Sequence, residues 1–157
     1  MKRIDWHDDP RGEDAALVAR VVQAVPELSA AYREHLDDNY QQLLPYMFLP
    51  DAVRTLQAQM MEGKLNKDAC VRLGRVIEDA LAQGGSVRNL ALLGLTGEIA
   101  EAYLSSRMRG QPSLLEFMRD ALGGHAKEAI RQELDTPTSR SILKATEQRT
   151  GDAKISS

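Results

Sequence analysis

The feature that most constrains this chain is the period of its apolar residues. They recur at helical spacing between Pro and Gly breaks, and no stretch shows the sustained Val/Ile/Thr alternation of a strand. An all-α protein is therefore expected, as one compact bundle of about six to seven helices. Asp9 and Pro10 suit an N-cap and first turn, opening a helix to about Val25 with Leu17, Val18, Val21 and Val22 on its apolar face. Pro26 ends it and can start a second helix to about Asp38, carrying Leu28, Tyr32, His35 and Leu36. Leu43 to Leu49 are apolar but include Pro45 and precede Pro50, which reads as a buried irregular link.

A third helix should run from Pro50 or Asp51 to Gly63. Asn66 can cap a fourth, in which Cys70, Leu73, Ile77, Ala80 and Leu81 form one stripe. Gly84 and Gly85 break the chain, and Ser86 is placed to cap a fifth helix to about Arg107. That helix is apolar on most faces from Leu90 to Leu95, so it is expected to be central. Its Gly94 and Gly97 each disfavour helix by about 1 kcal/mol, which makes sense where a neighbouring backbone must approach closely. Ser113 and Glu116 have capping-box spacing before Leu114, Leu115, Phe117, Met118 and Leu122. A short seventh helix follows to about Leu134. The expected division is a helical domain over 1–134 and a polar C-terminal tail over 135–157, with at most one helical turn in the tail.

Composition narrows the class. With 157 residues, 43% hydrophobic, 27% charged and 4% aromatic, the chain is too apolar for disorder and suits a single domain. Its one cysteine, Cys70, cannot form an internal disulfide. Leu90 to Leu95 is far short of a membrane span of roughly 20 residues. Met1, Lys2, Arg3, Ile4 and Asp5 lack a secretory apolar core, so a cytoplasmic location is expected. Residues 1–51 hold ten acids against five bases, whereas the remainder is slightly basic. An acidic first third repels phosphate, so neither nucleic acid nor an anionic membrane is expected there, and a basic protein partner is.

Sites for chemistry are sparse. The chain lacks GxSxG, GxxxxGK[ST] and GxGxxG, and Gly84-Gly85-Ser86 has no preceding strand or lysine to make a phosphate cradle. Cys70 falls on an apolar stripe and reads as core. His7-Asp8-Asp9, His35 with Asp38 and Asn39, and His125 with Glu128 offer metal-ligand types, the latter pairs at i, i+3 on one helical face. Glu98 and Glu101 on the central helix are candidate acid–base groups, although Arg88 or Arg54 can pair with Glu98. Tyr40, Tyr46 and Phe48 cluster beside Met47, either as a core plug or as a recognition surface.

Pro26-Glu27-Leu28, Tyr32, His35-Leu36, Asp38-Asn39, Leu43-Leu44-Pro45, Phe48 and Asp51 resemble the signature of a family of small bacterial helical proteins of immunity type. Val87-Arg88-Asn89-Leu90 with Glu98 downstream is a second, weaker match. The resemblance spans about residues 20–105, and the Gly-containing central helix and long polar tail depart from it. It implies a protein that binds and neutralises a cognate toxin by direct contact, with no catalysis and no cofactor. An acidic surface would occlude a basic partner's active site, with Glu34, Asp37, Asp38, Tyr40 and Tyr46 as contacts. Two alternatives stay open: a small helical metal-binding protein or enzyme using His35, Asp38 and Glu98, and a regulatory adaptor whose tail orders on binding.

Overall fold

The computed structural model describes residues 12–155, so the Asp9–Pro10 start and His7 lie outside the described residues. Their only regular structure is helical, without strands. In order they form α1 (Glu13–Ala24), a 3-10 turn (Pro26–Leu28), α2 (Ser29–Asp38), α3 (Pro45–Met61), α4 (Lys67–Gln83) and α5 (Gly85–Ala91). A π-helical stretch (Leu92–Thr96), α6 (Gly97–Arg109), α7 (Leu114–Met118), a 3-10 turn (Arg119–Ala121), α8 (Gly124–Leu134) and α9 (Pro137–Ile155) complete the chain.

Several sequence signals act as expected. The Asn66 side chain accepts the N–H groups of Asp68 and Ala69 at 2.7 and 3.4 Å, closing the first turn of α4. Ser113 Oγ accepts the Glu116 N–H at 3.2 Å and donates to Glu116 Oε1 at 2.9 Å, fixing the start of α7. Leu73, Ile77, Cys70 and Leu81 on α4 are buried against a core that includes Leu17, Leu28, Phe48, Leu56, Leu90 and Ile99. Burial pushes the Cys70 thiol up from its usual pKa, as suits a small core residue.

Four expectations need correction. The link at Leu43 to Leu49 is not irregular throughout: α3 begins at Pro45, where a proline's missing N–H is harmless, and continues through Pro50. Pro50 removes one bond, to the Tyr46 carbonyl, and the burial of Phe48, Leu49, Ala52 and Val53 outweighs it. The fifth helix starts at Gly85 with Gly84 at its N-cap, so Ser86 does not cap it. That helix is not sheathed on all sides either. Leu93 is 64% exposed, although the rod of α5, π-stretch and α6 touches α1, α3, α4, α7, α8 and α9. Finally, the C-terminal segment is helix over Pro137–Ile155 and packs on α6 and α8, so there are more than seven helices among the described residues.

Glycines mark the closest approaches. A Cβ on Gly94 would lie 2.9 Å from Leu49 Cβ, so α3 sits directly against the π-stretch, with a side chain and not the expected backbone making the approach. Gly97 would meet the Leu92 carbonyl oxygen of its own widened turn at 2.6 Å. Side-chain ties between distant segments lock the bundle. Gln57 donates to the Pro112 carbonyl at 3.1 Å and accepts the Leu114 N–H at 2.7 Å, joining α3 to the start of α7. Glu78 of α4 accepts the N–H groups of His125 and Ala126 at 2.9 and 3.1 Å and the His125 ring at 2.6 Å, capping α8 from another helix. Burial pushes the Glu78 carboxyl up, but these bonds from His125 and Ala126 outweigh it and hold it below its ordinary value.

Candidate functional site

The acidic residues singled out on α2 converge on a groove between α2 and α3. Glu34, His35 and Asp38 form one wall, with Met47, Asp51 and Arg54 of α3 opposite, around a volume of about 600 Å³. Helical spacing explains the first wall, because residues 34, 35 and 38 fall on one face. Phe48 sets the separation: fully buried, it packs edge-on to Tyr32 at 5.5 Å and to the His35 ring at 5.5 Å. Glu34 and Asp38 are exposed and take part in no ion pair among the described residues. Arg54, by contrast, bridges Asp51 and Glu98, the latter at 3.1 Å. The groove therefore presents two unpaired carboxylates beside an arginine shared between Asp51 and Glu98.

Its rim mixes charge with exposed apolar and aromatic surface. Asp37 points outward and accepts from Gln41 Nε2 at 2.8 Å. Tyr40 and Gln41 take the left-handed backbone at φ 55° and 62°, a conformation that side chains other than glycine seldom adopt. The turn is held by Gln41 N–H donating to the Leu36 carbonyl at 2.7 Å, and it leaves Tyr40 91% exposed. Met47, on the α3 wall, is 54% exposed. Tyr46 is set apart from these: it is half-buried, and burial, with Asp14 adding to it, pushes its hydroxyl pKa up. Of the five expected contact residues, Glu34 and Asp38 line the groove, Asp37 and Tyr40 are exposed near them in the chain but do not line it, and Tyr46 is turned partly into the bundle.

His35 is structural. Its ring is buried, and Nε2 accepts the Leu44 N–H at 3.0 Å, holding the turn that leads into α3. Asn39 Nδ2 donates to the His35 carbonyl at 2.7 Å and ends α2. Burial lowers the His35 pKa from its ordinary 6.5, while the Asp51 and Asp38 carboxylates pull it partly back. The folded protein thus favours the neutral ring, which binds fewer protons than the unfolded chain. The stability this group contributes is complete above pH 6.5 and is lost as pH falls through that value to the lower folded pKa. We expect the urea midpoint of the wild type to fall between pH 7.5 and 5.5 by more than that of His35→Asn. Equal slopes for the two proteins would remove His35 from the pH response.

The metal or acid–base constellation of His35, Asp38 and Glu98 does not assemble. Glu98 lies beyond Arg54, in a neighbouring groove with Glu101 and Gln57, and its partner is Arg54 rather than Arg88. His125 pairs with Glu78, and Glu128 with Arg131, so that second pair also points elsewhere. Among the described residues no group of three or more His, Cys, Asp or Glu side chains is arranged to hold a metal ion. No helix among them is long and apolar enough to cross a membrane. Asp51 and Arg54 belong to the site although sequence reasoning gave them no place in the binding surface, naming Asp51 only within the family signature and Arg54 only as a partner for Glu98. Comparison with protein-family models, curated proteins and solved structures finds no match for this chain.

Proposed function

We propose that this chain is an immunity-type binding protein that neutralises a basic protein toxin by docking it on the acidic α2–α3 face, acting in the cytoplasm without a cofactor. The observation that carries this reading is the pair of exposed carboxylates, Glu34 and Asp38, free of ion pairs among the described residues, in a groove that Met47 also lines, with exposed Tyr40 two residues on from Asp38. Interfaces favour aromatic and Met anchors beside polar rims, and a cationic side chain entering the groove would meet charge that the protein does not itself neutralise. Negative potential on one face also speeds encounter with a basic partner.

The test begins with capture of the partner from native bacterial lysate by the tagged protein, with one basic polypeptide in equal amount as the expected result. Asp37→Lys combined with Asp38→Lys should then slow association about tenfold or more at low salt, with a smaller effect at high salt. Both side chains are exposed, so the urea midpoint should change little. Unchanged association kinetics in a folded double variant would sink the assignment of this face.

A further inference from the structure

A second cleft lies between α7 and α8 and shares no residue with the acidic groove. It has a volume of about 530 Å³, within the range of small-ligand sites. Its floor is aliphatic, with Leu115, Leu122, Ile130 and Leu134, and no aromatic ring lines it. Its rim is basic, from Arg119, Lys127 and Arg131. On α8 the residues 127, 130, 131 and 134 follow the i, i+3, i+4, i+7 spacing of one helical face, so cations and aliphatic floor are presented together. Arg131 is already held by Glu128 at 2.6 and 2.9 Å. Arg119 and Lys127 have no ion pair among the described residues.

We infer that this cleft binds a straight-chain aliphatic carboxylate, its head on Arg119 and Lys127 and its chain over Leu115, Leu122, Ile130 and Leu134. A guanidinium fork offers two parallel donors to a carboxylate, and the apolar wall beside it strengthens that contact. Aliphatic side chains without a flat ring accommodate a flexible chain better than a stacked aromatic. Asp135 closes the other end, already paired with Arg140 at 3.5 Å. Beyond Arg119 and Lys127 the lining offers no unpaired cation for a second carboxylate, since Arg131 is taken by Glu128. The ligand is therefore single-headed.

Titration of the full-length protein with decanoate, followed by amide NMR shifts, tests this. Saturable one-to-one binding is expected, with shifts confined to α7, α8 and the turn between them. Each methylene removed should weaken binding about fourfold, so octanoate should bind about fifteenfold more weakly than decanoate. Decanol, which keeps the chain and lacks the charge, should bind at least about tenfold more weakly. Arg119→Gln combined with Lys127→Gln should bring decanoate down to the affinity of decanol and leave decanol unaffected. Both side chains are exposed, and an unchanged thermal melt verifies the fold of the variant. Equal binding of decanol and decanoate, shifts spread over the surface, or no saturation below the concentration at which decanoate self-associates each overturns the assignment.

Discussion

Phe48→Ala is expected to lower the unfolding free energy by about 3–5 kcal/mol, a large share of the roughly 5–15 kcal/mol that holds a domain together. The ring is fully buried and is held edge-on by Tyr32 and His35 from α2. Its removal therefore takes away apolar burial and two aromatic contacts together, and leaves a cavity under the groove. Because α2 makes its helix-to-helix contacts chiefly with α3, little else holds that wall in place. The loss should appear in urea denaturation at pH 7.5, and with it a smaller pH dependence between 7.5 and 5.5, since a looser α2 exposes His35 in the folded state. Phe48→Leu, which keeps most of the volume, should lose much less. A Phe48→Ala midpoint within experimental scatter of wild type would show that α2 is positioned by something else.

The parts of this fold that were legible in the sequence are those governed by neighbours in the chain. The α4 stripe from Cys70 to Leu81, the Asn66 cap and the Ser113–Glu116 turn all rest on contacts within a few residues. The errors arose where distant contacts decide. Pro45 and Pro50 both read as breakers, yet Pro45 occupies a first turn and Pro50 forfeits a single bond that core packing outweighs. The segment after Asp135 looked too polar to be helical along its length. Its buried positions include Ser139 and Thr146, whose hydroxyls donate to the Glu133 and Leu143 carbonyls at 3.2 and 2.9 Å. A polar residue satisfied by backbone can sit against α6 without the apolar stripe that sequence reading looks for.

The candidate site divides the same way. Glu34 and Asp38 share a face because they share a helix, and that much follows from spacing. The pairing of α2 with α3 is not visible locally, and the choice of Arg54 over Arg88 as the partner of Glu98, 44 residues from Arg54, is settled only by the packing. His35 looked like a ligand because its acceptor role toward Leu44, nine residues on, depends on how the chain turns. Glu78 drew no attention at all, although it caps a helix 47 residues away.

Gly74→Ala separates local propensity from tertiary packing most sharply, because the two predict opposite signs. In the middle of α4, alanine is favoured over glycine by about 1 kcal/mol. An ideal Cβ at this position, however, would lie 2.1 Å from the Ala121 carbonyl oxygen and 2.9 Å from its carbon. That obstacle is backbone, part of the 3-10 turn Arg119–Ala121, and cannot swing aside as the tip of a side chain can. The turn must move, so the net result should be a loss of about 2–3 kcal/mol, as for an overpacked core. Gly124→Ala is the matching control: it opens α8, has ordinary backbone and nothing within 4 Å of a new Cβ, and should be neutral or slightly stabilising. If Gly74→Ala is instead as stable as wild type, α4 does not rest on that turn. A displaced turn also carries Arg119 away from the α7–α8 cleft. Decanoate binding should then weaken in Gly74→Ala and stay unchanged in Gly124→Ala, which ties the carboxylate site to the packing that places it.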